Sequence, residues 1–488
     1  MAVVVAIDAG TTGVRSFAVD ETGANVAIAY REFTQHFPQP GWVEHDPEEI
    51  WEAVTATLAE VAGRLEEPIA AIGITDQRET TVVWDRRSGR PRHRAIVWQD
   101  RRTAERCGEL EEAGHLDLVR RTTGLVLDSY FSATKLEWML RHGVEADGDL
   151  AFGTVDSWLL WKLTGGQVHA TEPSNASRTM LLDIRTLDWS DELLELFGLP
   201  RSCLPEVQPT SGRFGVTTDD VPVGAGVPVS GMAGDQQSAL FGQACFEPGM
   251  SKNTYGTGSF VLMNVGSECP EPVEGLLTTV AWQLPEGGAT YAYEGAIFVT
   301  GATIQWLRDG LGIIAAAAET GPLAASCDDT GGVYLVPAFT GLGSPWWDPY
   351  ARGTVVGITR GTGRPELARA AVESMAFQTR DVVTTMVASA GHPVDSLQVD
   401  GGASVMDLLL QIQADQLGVP VRRPVQQETT AIGAAWLAGL AEGVWSLDDL
   451  SAQWQLDRQF EAGDDRAAAD AAHAQWLRAV ERARGWVR

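Results

Sequence analysis

The run VAIDAGTTGVRSFAVD, residues 5–20, is a strand that stops on an aspartate and turns straight back. Its apolar stretch, residues 3–7, ends at Asp8, and Ala-Gly-Thr-Thr-Gly follows. Residues 16–19 then alternate like a second strand, Glu-Thr-Gly-Ala makes a turn, and residues 26–29 read as a third. Glycines let backbone N–H groups approach a phosphate, and Thr11 and Thr12 add hydroxyl donors. Dinucleotide and P-loop fingerprints run strand, loop, helix, whereas this loop sits at the bend of a hairpin. The three lysines, Lys135, Lys162 and Lys252, are followed by Leu, Leu and Asn, so there is no Walker lysine, and no G-x-G-x-x-G occurs. Read alone, the loop is equally an ordinary hairpin turn with Asp8 as turn former.

Two further turns share its chemistry. LQVDGGASV, residues 397–405, ends a strand on Asp400-Gly-Gly and precedes a helical stretch at 408–417. Free N–H groups at such a helix start suit a phosphate or nucleotide. GMAGDQQ, residues 231–237, joins a strand to a helix beginning near Ser238 and puts Asp235 at the helix start. Each also reads as a capped turn. Together they suggest a nucleotide held between two related halves. Thr254-Tyr-Gly256-Thr257-Gly258 adds a glycine-threonine turn to the second half.

A chain of 488 residues with 44% hydrophobic content is expected to hold two or three domains around a large core. Strand-like runs alternate with helical patterns, an α/β signature. The clearest helix spans 366–390, with Leu367, Ala371 and Met375 at spacing four and Gly391 as a stop. The last 30 or so residues read as a surface helix. QACFEPGMSKN, residues 243–253, is the expected boundary between halves at 1–246 and 247–488. No apolar run reaches the roughly 18–20 residues of a membrane span. No basic stretch precedes residues 3–7, which read as strand rather than signal peptide. Five scattered cysteines without a CxxC suggest neither zinc nor a disulfide framework, and a reducing cytoplasm is the default. The 36 Lys and Arg against 65 Asp and Glu give a net charge of −29, which argues against nucleic acid or anionic membrane as partner.

Long motifs extend the reading. They include GITDQRETTVVWD (73–85), AIVWQDRRTAE (95–105), YFSATKLEWMLRH (130–142), NASRTMLLDIRTLDW (175–189), KNTYGTGSF (252–260), GATIQWLRD (301–309) and GTVVGITRGTGRPELARAAVE (353–373). On these motifs, nearly end to end, the chain resembles the FGGY carbohydrate kinases, and within them the members that phosphorylate glycerol. The resemblance implies two actin-like (ribonuclease-H-like) domains, each a mixed sheet flanked by helices, with the active site in the cleft between them. It implies transfer of a phosphoryl group from ATP to glycerol with Mg²⁺, and a homodimer or homotetramer.

Site roles follow by resemblance. Arg78 and Glu79 would bind glycerol hydroxyls, with Tyr130, Asp235 and Gln236, while Trp98 and Phe260 pack on its carbon skeleton. Asp235 would accept the proton of the attacking hydroxyl. Thr11, Thr12, Gly13 and Arg15 match the phosphate loop, and Thr257, Gly301 and Gly402 match nucleotide positions. Asp8 would hold Mg²⁺ through water, because Mg²⁺ keeps much of its shell. By residue type alone, Arg78–Glu79 is equally a surface ion pair, Trp98, Tyr130 and Phe260 core aromatics, and Arg15 a solvated strand residue.

The chain also departs from the family. Met406-Asp407 stands where members often carry Asn-Asn, which puts a nucleotide-base contact in doubt, and Asp76 stands where they usually show Asn. Residues 219–231, where some members bind fructose 1,6-bisphosphate through arginine, contain no Arg, so weak or absent inhibition of that kind is expected. No histidine lies between His169 and His392, which removes the phosphohistidine switch of others. Competing readings are a kinase for another polyol or sugar, such as xylulose or erythritol, and an actin-type nucleotide switch without turnover. DQRET favours glycerol over xylulose, and a pure switch needs neither Asp235 nor Arg78–Glu79.

Overall fold

The computed structural model of the chain describes residues 2–487. Labels below cover the two large sheets and the helices that pack on them. Strand β1 (Val3–Ala9) is buried on both faces. Val3, Val5 and Ile7 point to one side, where helix α1 (Pro47–Ala62) supplies Val54, Leu58 and Val61. Val4 and Ala6 point to the other, against Phe17 and Ala434. The two-residue period of a strand thus explains an unbroken apolar run. Asp46 accepts from the Glu48 amide and Pro47 opens α1, which starts that helix after the first three strands.

β1 pairs antiparallel with β2 (Gly13–Asp20), and β2 with β3 (Asn25–Glu32). The Gly10 amide donates to Gly13 O at 3.0 Å, so the glycine-threonine loop is the bend of a hairpin, as its sequence suggests. On the other side β1 runs parallel to β4 (Ile69–Asp76), β4 parallel to β6 (Pro228–Gly234), and β5 (Ser211–Val216) closes the edge antiparallel to β6. The six-stranded order is β5-β6-β4-β1-β2-β3.

The second half repeats this plan. β7 (Ser251–Tyr255) is antiparallel to β8 (Ser259–Gly266), and β9 (Leu277–Gln283) and β10 (Ala289–Ile297) extend that side. β11 (Leu397–Asp400) runs parallel to β7, β12 (Val421–Pro424) parallel to β11, and β13 (Leu456–Phe460) closes the edge. The seven-stranded order is β9-β10-β8-β7-β11-β12-β13. Helix α2 (Asp235–Gly242) leaves β6, a short helix α3 (Gly301–Gln305) follows β10, and α4 (Arg364–Ala390) covers the second sheet. Ala371, Val372 and Met375 of α4 pack on Leu397 and Val399. The Gly363 amide donates to Glu366 Oε2 at 2.8 Å at its start, and Gly391, at φ 67°, ends it. Helix α5 (Asp407–Leu417) follows β11 after one 3₁₀ turn.

Helix α6 (Thr429–Ala441) belongs to the second half by sequence but lies on the first sheet. Its backbone touches β4, β6 and α2 directly. An added Cβ on Gly73 would meet Ala434 O at 2.1 Å, on Gly231 Ala438 N at 2.5 Å, and on Gly433 Ser238 O at 1.9 Å. The two halves are therefore interleaved, and a cut within 243–253 leaves α6 on the far side of its own core. The C-terminal helix α7 (Arg466–Ala483) is also more than a surface helix. Trp476 and Val480 are fully buried, and Trp476 stacks on Phe377 of α4 with centroids 5.4 Å apart.

Candidate active site

Three parallel strands of the first sheet end together at the cleft, and each delivers an acid. Asp8 is the last residue but one of β1, Asp76 closes β4, and Asp235 follows β6. Ala9 and Gly234 both stand opposite Asp76 in register. Ligand sites of α/β sheets form at such carboxyl ends.

The three acids sit differently. Asp235 is the first residue of α2, preceded by Gly234. It is therefore inside the first turn rather than capping it. Its Oδ1 accepts from the Gln236 amide at 2.8 Å and lies 3.2 Å from Arg78 Nε, and its side chain is about a third exposed (32%). Asp8 lies 3.7 Å from Arg15 Nη1. Burial pushes its carboxyl up to about 7; Arg15 opposes the shift, and the charges of Glu428 and Asp235 add to it. Asp76 is buried behind the cleft, where Asn175 Nδ2 donates to it at 2.9 Å. Burial first, then neighbouring Asp156, raise it well above the usual carboxylate range.

Arg78 is the hub. It is buried, donates through Nη2 to Tyr130 Oη at 3.2 Å and through Nη1 to Gln237 Oε1 at 3.2 Å, and clamps Glu294 of β10 with both terminal nitrogens. Arg178 donates to Glu79 Oε1 at 2.7 Å and to Glu294 Oε1 at 2.9 Å. Arg78 and Glu79 are thus not a surface ion pair: their own separation is 3.8 Å, and both belong to a buried four-charge network that joins the two sheets. Burial opposes ionisation of Glu294, but Arg178 and Arg78 outweigh it and hold its carboxyl below the ordinary range. Glu79 is instead raised, chiefly by burial, with the same two arginines pulling the other way. Its backbone at φ 61° is uncommon for a side chain of this size and turns its carboxylate inward.

The aromatic residues gather over this network. Trp98 meets Tyr130 edge-on at 5.7 Å, and the Phe260 ring lies 5.6 Å from the Arg78 guanidinium. Trp98 Nε1 donates to Thr11 Oγ1 at 2.9 Å, tying the aromatic wall to the hairpin loop. Trp98, Tyr130, Phe260 and Thr257 line one cavity of about 320 Å³. Gln236 Oε1 accepts from Lys252 Nζ at 2.5 Å, and Lys252 also donates to Thr254 Oγ1 at 2.8 Å. Burial pulls this lysine down to about 8, against the charges of Asp400 and Asp235.

A larger cavity of about 750 Å³ opens beside it, lined by Thr257, Gly301 and Gly402. Thr257 O accepts from the Thr300 amide at 2.9 Å and the Ala302 amide at 3.0 Å, and the Gly301 amide donates to Gly256 O at 3.0 Å, which pins the two glycine turns together. Gly402 sits in the 3₁₀ turn after Gly401, whose φ of 84° lets the chain pass over Tyr255. Thr12 Oγ1 lies 3.4 Å from Tyr30 Oη. Gly13 opens β2 against Arg31 O, where any Cβ would clash at 2.5 Å. Arg15 is ion-paired with Glu428 across the cleft rather than solvated. Asp400 does not face this cavity. It is buried and accepts from Gln243 at 2.7 Å and from Thr429 at 2.7 Å, locking α2 to α6.

The structure thus gathers Asp8, Arg15, Arg78, Glu79, Trp98, Tyr130, Asp235, Gln236 and Phe260 around one opening, with Thr11 beside them and Thr257 shared with the larger cavity. Glu294, Arg178, Gln237, Lys252 and Glu428 are added to the sequence reading. Glu294 carried a signal: it is the lone charge in the strand ATYAYEGAI. Among the described residues no group of three His, Cys, Asp or Glu could hold a metal alone. The acids beside Asp8, Glu428 and Asp235, fit a cation, and one bound there would lean on water and phosphate oxygens for its remaining ligands.

Family models for the FGGY family of carbohydrate kinases match the chain over residues 3–242 (N-terminal domain) and 251–442 (C-terminal domain). A glycerol kinase of Carboxydothermus hydrogenoformans is 56% identical over 99% of this chain and 98% of its own length. Glycerol kinase 2 of Thermotoga maritima is 54% identical over 100% and 99%. The crystal structure of Plasmodium falciparum glycerol kinase with ADP superposes with a TM-score of 0.94 at 34% identity, covering 99% of this chain and 98% of that one.

Proposed function

We propose, since the chain belongs to the FGGY family of carbohydrate kinases, that it transfers the γ-phosphoryl group of ATP to glycerol and yields sn-glycerol 3-phosphate. The carrying observation is identity above 50% to glycerol kinases along the whole chain.

Glycerol is a neutral triol and needs a fixed set of donors and acceptors plus an apolar wall. Arg78 donates, Glu79 and Asp235 accept, and Gln236 can do both. Trp98, Tyr130 and Phe260 cover the C–H edges. An analogue that leaves one of these buried groups unpaired loses about 1–3 kcal/mol per group. The Asp235 carboxylate takes the proton of the attacking hydroxyl, and Arg78 Nε at 3.2 Å fixes its orientation. Thr11, Thr12, Gly13 and Arg15 from one half and Thr257, Gly301 and Gly402 from the other hold the nucleotide. Arg15 leaves Glu428 for phosphate oxygen. Mg²⁺ bound near Asp8 supplies charge compensation for the transferring phosphoryl group. Packing of the halves around the site excludes water and limits wasteful hydrolysis.

The enzyme works in the cytoplasm, where ATP is available, as a homodimer or homotetramer that sedimentation velocity would reveal. Among the described residues no helix is long and apolar enough to cross a membrane. The test is ADP release with glycerol, erythritol, xylulose and dihydroxyacetone. The highest kcat/KM is expected on glycerol. Higher efficiency on another polyol would reassign the substrate, and no turnover on any would overturn the kinase reading.

A further inference from the structure

Lys252 is fully buried and reaches from one half of the molecule to the other. It stands on β7, opposite Leu262 of β8 and Gln398 of β11 in register. Its Nζ donates to Gln236 Oε1 at 2.5 Å, in the first turn of α2, and to Thr254 Oγ1 at 2.8 Å, two positions on along its own strand. Side chains two apart share a strand face, so the two contacts brace the ammonium between strand and helix. A buried charge is costly unless paired and hydrogen-bonded, and an apolar side chain would fill this space without that cost. Burial pulls Lys252 down to about 8, and Arg78 pushes the same way; Asp400, Asp235 and Glu294 pull it up. At pH 7 it is an ammonium, with three donors and no acceptor.

The consequence falls on Gln236. A side-chain amide carries an acceptor oxygen on one arm and a two-donor nitrogen on the other. A donor-only neighbour decides which arm is which: the atom beside Lys252 is the oxygen. Gln236 is only 6% exposed and directly follows Asp235, so its amide has little room to turn. Among the described residues no protein group takes its Nε2. The next residue differs. Gln237 Oε1 accepts from Arg78 at 3.2 Å and its Nε2 donates to Thr279 Oγ1 at 2.9 Å, so both of its arms are used. Of the two glutamines after Asp235, one is wholly committed and the other keeps its donor arm.

We propose that Lys252 is a positioning residue for the phosphoryl acceptor: it holds the Gln236 amide so that the N–H₂ group, and not the carbonyl, meets a hydroxyl oxygen of the polyol. The hydrogen bonds of the site then divide evenly. Arg78 and Gln236 donate, while Glu79 and Asp235 accept, and a polyol hydroxyl answers both kinds. Without Lys252 the amide turns over or leaves its oxygen unpaired, and the donor is lost from the site. The inference rests on the proposed glycerol site and states how one of its residues is held.

The test is a double-mutant cycle on the full-length protein, Lys252→Met and Gln236→Leu singly and together, with KM for glycerol and kcat measured at saturating ATP and Mg²⁺. An unpaired buried polar group is worth a factor of about 5–150. Lys252→Met is expected to raise KM by that factor with kcat little changed, the pattern of lost ground-state binding. In the Gln236→Leu background the same change should add no more than about twofold, because the group it positions is gone. A lysine that only supports the fold would cause the same loss in both backgrounds. Equal factors, or an unchanged KM in Lys252→Met, overturn the inference. Gln236→Glu tests it with Lys252 in place: the carboxylate keeps the lysine contact but has no N–H₂, so KM should rise, and a wild-type KM would overturn the inference. Wild type without turnover on any acceptor overturns the kinase reading and this inference together; an active wild type with an additive cycle overturns this inference alone.

Discussion

Glu294 shows what one residue does here. It arrives from the second sheet and is the shared counter-ion of Arg78 and Arg178. Removing one partner of a buried ion network costs about 3–5 kcal/mol, because the charges left behind stay buried. Glu294→Gln is therefore expected to lower the midpoint of denaturation and to raise KM for glycerol, because Arg78 loses its clamp. A variant with wild-type stability and KM would contradict this. Asp235→Asn should behave differently. Loss of a positioned base lowers kcat by about 10²–10⁴ with KM for glycerol little changed, since the amide still fills the site. Two histidines, His45 buried and His169 half-buried, give a pH signature. Burial pulls His45 and His169 down to about 4 from 6.5. Folding then binds fewer protons than unfolding between those values, so their stability contribution is full above pH 6.5 and is lost as pH falls towards 4. His169→Gln, which keeps a donor for Phe152 O, should lose less stability than wild type between pH 6.5 and 4.5; an equal loss in urea titrations would refute it. Arg78, Glu79 and Asp235 were legible in sequence because each sits in a short turn with its own signature. Glu294 and Arg178 were not, because the partnership of Arg78 with Glu294 spans 216 positions and has no local pattern.

At the level of elements, the junction of α2 with α6 is made backbone to backbone. A Cβ on Gly433 would meet Ser238 O at 1.9 Å, and one on Gly242 would meet Thr429 O at 2.1 Å. Gly433→Ala should destabilise by at least about 1–3 kcal/mol, although alanine is the better helix former. Gly108, in the helix Ala104–Glu112, has open space where a Cβ would go, and Gly108→Ala should stabilise by up to about 1 kcal/mol. Equal effects at both positions in chemical denaturation would contradict the close contact. Helix α4 was readable from its apolar spacing and its glycine stop. The placement of α6 was not: TTAIGAAWLAGLA is buried all round and carries no polar face to orient it. Trp476 of the C-terminal helix was hidden among alanines and charges, which read as a solvated surface.

Across the molecule, two sheets of one plan meet at a cleft, and polar side chains cross it at each depth. Arg15 meets Glu428, Lys252 meets Gln236, Arg78 meets Glu294, and Asp400 joins α2 to α6. The two aspartates that end strands before glycine have separated roles. Asp8 faces the opening, while Asp400 braces the core that both halves share. The alternation of strand and helix made the α/β architecture legible, and the glycine turns made its cleft legible. The interleaving was not, because it depends on close glycine packing between segments some 190 residues apart, such as Ser238 and Thr430. The central claim is that this cleft phosphorylates glycerol with Asp235 as base. It is tested most directly by identifying the product of ATP, Mg²⁺ and glycerol by phosphorus NMR and a stereospecific assay, for wild type and Asp235→Ala. The account predicts sn-glycerol 3-phosphate in step with ADP from wild type, and a rate reduced by about 10² or more in the variant. ADP formed without dependence on glycerol, or an undiminished rate in Asp235→Ala, would contradict it.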